Sequence, residues 1–155
     1  VANLTNFVSK PETIPSRWNH VLYLNQLTDV SFIDDLSEGI IAADLCAGKS
    51  LKDLSVLSKL DFLFISDEDL FMDLIDIGKL VKGWVIVHHP GGSSWSDGNT
   101  IEEHTITRLK NVNVLGCGDM FASYFINNYL GGESNISTII KRCHIGITNV
   151  LKTQL

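Results

Sequence analysis

Short apolar blocks alternate with longer, mixed stretches along most of the chain. His20 to Leu24 (HVLYL), Ile40 to Asp44 (IIAAD), Asp61 to Ile65 (DFLFI) and Trp84 to Val87 (WVIV) are apolar, β-prone and bounded by polar residues, and they predict four strands. Val30 to Glu38 sets Val30, Phe32, Ile33 and Leu36 among acidic residues, which predicts a helix ended by Gly39. Leu51 to Leu60 predicts a second helix. Ser66 reads as the N-cap of a third, with Asp67, Glu68 and Asp69 in its first turn and its end near Val81. Pro90 to Gly98 is rich in Gly, Ser and Asp and predicts a hairpin or loop, followed by a further strand over His104 to Leu109. Gly116 to Leu130 opens on glycines, becomes an apolar helix and closes on Gly131 and Gly132; Asn135 to Lys152 predicts the last helix. The lead-in, Val1 to Ser16, carries Pro11 and Pro15 and reads as irregular.

Continuous apolar strands alternating with helices predict an α/β fold: a mainly parallel sheet with helices on both faces. Ligands in such folds bind beyond the carboxyl ends of the strands, where Asp44, Ser66 and His88 fall. The chain has 155 residues, 45% hydrophobic and 19% charged, so a single domain over 1–155 with a buried core is expected rather than disorder. A formal charge of -6 without any basic run argues against a nucleic-acid partner. No apolar run reaches the roughly 18 residues of a membrane span, and no signal peptide is visible, so no membrane partner is expected. Cys46, Cys117 and Cys143 are odd in number and lack CxxC spacing, which suggests neither a disulfide framework nor a zinc site. Reduced thiols in the cytoplasm are the expectation.

The stretch Asn113-Val114-Leu115-Gly116-Cys117-Gly118-Asp119-Met120-Phe121-Ala122-Ser123 carries the candidate chemistry. A Gly-x-Gly turn feeding a helix lets backbone N–H groups converge on an anion, which the helix dipole also favours. A carboxylate beside that anion can take a proton from an attacking hydroxyl. An anion hole with an adjoining base is what phosphoryl transfer to an alcohol requires. On pattern alone, a glycine turn with a helix-stabilising Asp119 explains the same residues.

Gly116-Cys117-Gly118-Asp119-Met120-Phe121 resembles the Gly-Ala-Gly-Asp-x-Phe signature of the ribokinase (PfkB-type) family of carbohydrate kinases, and the order of the preceding segments is similar over nearly the whole chain. The resemblance implies a ribokinase-like, three-layer fold and ATP-dependent phosphoryl transfer, with Mg, to a hydroxyl of a sugar or nucleoside acceptor. It implies that Asp119 is the catalytic base and that the amides of Gly116, Cys117 and Gly118 form the anion hole. Cys117 stands in the place of Ala and reads as packing rather than as a reactive thiol. Asn113 stands where the family usually has Asp; with Asp44, at the end of its strand, it is assigned to the substrate and phosphate side. The family's Asn-x-x-Glu motif falls on Ser66-Asp67-Glu68-Asp69, implying an indirect, water-mediated metal role for Asp69 and a place near the metal for Ser66. The same four residues read equally as a capped helix start. The family's Thr-x-Gly-x-x-Gly pattern falls on His88-His89-Pro90-Gly91-Gly92, which assigns His88, Gly91 and Gly92 to the nucleotide. Pro90 removes an amide there. Neighbouring side chains on a strand face opposite ways, so His88 and His89 are not expected to share a metal. Cys46 departs from the polar residue the family often has after its Asp, and Ile136 to Val150 fits the helix that borders the adenine.

Members of that family are about twice as long. With Val1 rather than Met at its start, the chain is expected to be a C-terminal portion or a short form, with the N-terminal half and the lid absent. The strands missing from the sheet would leave an open edge, suited to a homo-oligomer. Three readings follow: a carbohydrate kinase, favoured by Asp119 and its glycines; a non-catalytic kinase-like module that kept the fold but lost nucleotide chemistry, favoured by Ser66, Asp69, Asn113, His88 and Pro90; and an unrelated dinucleotide-binding domain, disfavoured because no GxGxxG follows the first strand.

Overall fold

The apolar blocks become the strands of one six-stranded sheet whose spatial order is its sequence order. The structure is a computed structural model that describes residues 16–36, 38–45 and 50–154. The strands are β1 (Trp18–Val21), β2 (Ile40–Asp44), β3 (Phe62–Ser66), β4 (Trp84–His89), β5 (Gly92–Ser96) and β6 (Ile101–Thr105). The first four run parallel; β5 and β6 are antiparallel additions beside β4. The α-helices are α1 (Leu74–Leu80), α2 (Cys117–Leu130) and α3 (Ile136–Lys152).

Both faces of the sheet are covered, which is why the strands read as unbroken apolar runs. In β3, Leu63 and Ile65 turn to a layer holding Ile33, Leu57, Leu60 and the α1 residues Leu74 and Ile77. Phe62 and Phe64 turn to the opposite layer, against Phe121 and Phe125 of α2 and Ile139, Ile140 and Cys143 of α3. The second layer is the aromatic one. The Phe125 ring lies 5.1 Å from Phe62 and 5.2 Å from Phe64, and Trp18 stacks on Phe62 at 5.3 Å. The expected α/β architecture with helices on both faces is therefore the observed one.

Several elements differ from the sequence expectation. The helix over Val30 to Glu38 is a 3-10 turn at Ser31–Asp35, and the helix over Leu51 to Leu60 is another at Leu54–Lys59, with the Asp53 side chain accepting from the Ser55 amide. Leu57 and Leu60 are both fully buried, and their three-residue spacing suits the 3-10 repeat. The long helix expected from Ser66 to Val81 is broken. Asp67–Asp69 forms a 3-10 turn to which Ser66 gives no side-chain cap, and α1 starts only at Leu74, where Asp73 accepts from the Ile75 amide at 3.0 Å. Asp side chains that bond nearby amides compete with helix continuation. The first strand begins at Trp18, before the expected His20, and Leu24 instead opens a 3-10 turn. The last strand is Ile101–Thr105 rather than His104 to Leu109. Pro90 to Gly98 resolves into the turn of the β4–β5 hairpin and β5 itself. Residues 1–15 of the lead-in and Cys46 lie outside the described residues.

Cys117 and Cys143 are free thiols, and burial pushes the Cys143 thiol up to about 12. Among the described residues no helix is long and apolar enough to cross a membrane.

Candidate functional site

The carboxyl ends of the parallel strands and the N-terminus of α2 meet on one side of the sheet. Gly116 caps α2 with φ 80° and ψ 4°, a left-handed conformation that costs an L-residue roughly 1–2 kcal/mol. Nothing crowds its missing side chain, so the backbone angle is the reason for glycine here. Gly118 is glycine for a different reason: a Cβ would sit 3.1 Å from Cε1 of His88. The His88 ring thus lies directly against the turn, and 5.8 Å from the ring of Phe121 on the same helix.

The turn shares its amides unevenly. The Cys117 N–H donates to the Val114 carbonyl at 3.0 Å, and the Met120 N–H to the Gly116 carbonyl at 3.0 Å, the first bond of the helix ladder. The Gly118 and Asp119 amides have no backbone acceptor among the described residues, as expected for a helix start. Asn113 holds the approach to the turn: its Oδ1 accepts from the Leu115 amide at 3.0 Å, and its own N–H donates to Gln154 Oε1 at 2.9 Å, tying the loop to the end of α3.

Asp119 occupies the first turn of α2 and is exposed. Among the described residues its carboxylate has no hydrogen-bond or ion-pair partner; only its backbone carbonyl is engaged, by the Ser123 hydroxyl at 2.8 Å. It lies at one end of a shallow, open depression of about 450 Å³ along α2, lined also by Met120, Ser123, Tyr124 and Asn127.

Asp44 ends β2. Its Oδ1 accepts the Tyr23 amide at 2.5 Å, and its Oδ2 lies 3.4 Å from Nε2 of His20 on β1. Ser66 ends β3 directly opposite His88 of β4. His88 is held below its ordinary pKa, first by burial, while Asp67, Asp44 and Asp69 oppose that shift. Those carboxylates therefore share the neighbourhood of His88, so the structure brings together Asp44, Ser66, Asp69, His88 and the α2 turn. Gly91 and Gly92 stand apart at the hairpin turn, where His89 Nδ1 accepts the Gly91 amide at 3.1 Å and Gly92 lies against the His104 carbonyl. His88 faces α2, and alternation along β4 sends His89 the other way.

Two features escaped the sequence reading. The sequence pattern marks His20 only as the start of a strand, yet it lies on the same face as Asp44, as alternation across a parallel pair of strands requires. The buried pair Ser93 and His144 joins β5 to α3 at 2.8 Å across 51 positions, and no local pattern announces it.

No family model matches the chain, and no curated protein does. Solved structures do. The chain is similar to ribokinase from Thermotoga maritima, with 16% identity and a TM-score of 0.68, over 83% of this chain and 48% of that one. It is similar to a protein described as a ribokinase II from E. coli, in complex with ATP and Mg2+, with 15% identity and a TM-score of 0.60, over 82% of this chain and 49% of that one. It is also similar to fructokinase from Vibrio cholerae in its form with fructose, ADP and calcium, with 15% identity and a TM-score of 0.64, over 86% of this chain and 53% of that one. The chain spans about half the length of each. At these identities the likeness establishes the fold, which is ribokinase-like.

Proposed function

We propose that the chain is the base- and anion-turn-bearing part of a kinase that transfers a phosphoryl group from ATP to a hydroxyl of a sugar or nucleoside. The observation that carries this reading is the arrangement of Asp119: a carboxylate with no partner among the described residues, next to a glycine turn whose Gly118 amide has no backbone acceptor there, at one end of the depression along α2. The fructose and adenine nucleotides in the structures of similar fold support the same substrate class.

In this reading Asp119 takes the proton of the acceptor hydroxyl as its oxygen attacks phosphorus. The α2 turn meets the charge of the transferring group. Since the Cys117 amide already donates to Val114, the cradle comprises Gly116 and Gly118 with the Asp119 amide added, and Cys117 joins it only if that turn bond opens. His88 sits beneath the turn and, with Gly91 and Gly92, would border the nucleotide; Asp44 and Asn113 stand on the acceptor and phosphate side. Among the described residues no three His, Cys, Asp or Glu side chains are grouped to hold a metal. Mg2+ would therefore be carried by phosphate oxygens and water, with Asp69, beside Ser66, ordering that water. The ion supplies charge neutralisation between phosphates when bound.

Gly118→Val is the test of the cradle. The added branch meets the His88 ring and pushes it or the turn aside. Calorimetric titration with ATP and Mg2+ is expected to show affinity falling by an order of magnitude or more, the loss of roughly one charge-assisted hydrogen bond. Unchanged affinity would remove the α2 turn from the nucleotide site. If the unmodified protein, in its longest native form, neither binds ATP nor phosphorylates any of a panel of sugars and nucleosides, the non-catalytic kinase-like reading replaces this one.

The sheet edge gives a further expectation. Among the described residues β1 pairs with β2 alone, leaving one side of Trp18–Val21 open to another strand. Self-association of the 155-residue chain through this edge is expected to appear in light scattering as a mass above 17.2 kDa. A constant monomer mass at rising concentration would count against it.

A further inference from the structure

We propose that the buried contact between His144 and Ser93, with the ring of His104 tilted beside it, is an acid-sensitive pin that fastens α3 and the start of α2 to the antiparallel end of the sheet.

The pin is built from three elements. Ser93 of β5 is 1% exposed and His144 of α3 is 5% exposed, and Ser93 Oγ lies 2.8 Å from His144 Nε2. On β6, His104 is the residue paired with Ser93, and its ring is 5.5 Å from that of His144. The rings of Phe121 and His144 meet edge to face at 5.4 Å, and Phe121 also packs against His88 and Phe64. Phe121 lies two residues beyond Asp119, so the pin touches α2 near its start.

Among the described residues no carboxylate acts on His144 to favour a proton there. The titratable groups acting on it are all histidines: His104 on β6, and His88 and His89 on β4. Glu102 shares the His104 face of β6 but is exposed and paired with Trp95, further along the strand; Glu103 points to the other face. Lys141 and Arg142 of α3 are exposed, and Asp119 of α2 lies at the depression along that helix. Burial first, then those neighbouring histidines, holds His144 at about 4, against an ordinary value of 6.5. The folded chain therefore binds this proton less readily than the unfolded chain. Stability from the neutral pin is whole above pH 6.5 and is lost as pH falls from 6.5 towards 4, with no further loss below. Across that window the folding constant drops by roughly two powers of ten. The released segment is α3 and, through Phe121, the α2 start. This inference stands independently of the kinase reading, because its readout is folding.

Urea unfolding followed by near-ultraviolet dichroism at pH 7 and pH 4.5 tests it, on the wild type and on His144→Gln, which preserves polarity and cannot take a proton. The wild type is expected to lose most of that hundredfold, and His144→Gln to lose much less between the same two values. His104→Gln, by removing one neighbouring charge, is expected to fall between them. Equal losses in wild type and His144→Gln would overturn the pin. Should His144→Gln fail to fold, proton NMR of the wild-type imidazoles decides: titration of His144 well below 6.5 supports the pin, and titration at 6.5 refutes it.

Discussion

Asp119→Asn is expected to lower phosphoryl transfer by roughly two to four powers of ten, with ATP binding little altered. The side chain is nearly isosteric and still polar, so the depression along α2 keeps its shape; what is lost is the capacity to accept a proton. Because the carboxylate has no partner among the described residues, the substitution leaves no buried group unsatisfied and stability should hold. That separates loss of chemistry from loss of structure. The measurements are turnover with the preferred acceptor, calorimetry with ATP, and an unfolding curve, all on the longest native form. Wild-type turnover in Asp119→Asn would reduce Asp119 to a helix-start acid that favours the dipole of α2.

Phe125→Ala is expected to destabilise the fold by about 3–5 kcal/mol, a large part of the 5–15 kcal/mol that holds a typical domain together. Phe125 is fully buried and meets Phe62, Phe64, Trp18 and Tyr129, so its removal empties the centre of the aromatic layer between α2 and the sheet. Urea unfolding should show a large fall in midpoint, and Phe125→Leu, which refills part of the space, a smaller one. A loss below about 1 kcal/mol for Phe125→Ala would mean that the layer collapses around the gap.

The four parallel strands were legible because both of their faces are buried, which leaves an apolar block with no competing period. The helices on the far layer, α2 and α3, were legible because they are long and their ends carry glycines or Asn135, whose side chain accepts the Thr138 amide. The near layer was misread for one recurring reason. Asp53 and Asp73 each bind the amide two residues on, setting local turns where an amphipathic count extends a helix. The turn at Gly116 to Asp119 was legible as a motif, but the engagement of the Cys117 amide by Val114 was not, since it depends on how the loop from Asn113 is tied to Gln154. The end of its strand and the resemblance to the Thr-x-Gly-x-x-Gly pattern single out His88; its contact with Gly118 is not legible there, because it depends on where α2 lands.

The sequence-ordered sheet also bears on how the chain acquires its structure. Every strand pairs with the one made just before it, so during synthesis each new strand meets its partner without waiting for a distant segment, and contact order within the sheet stays low. The exception is the aromatic face. Phe62, Phe64 and Trp95 wait for α2 and α3, which come after every strand of the sheet, and remain uncovered until then. A nascent chain that has completed β6 therefore shows an apolar surface on one side only, and that surface is where a chaperone would find it.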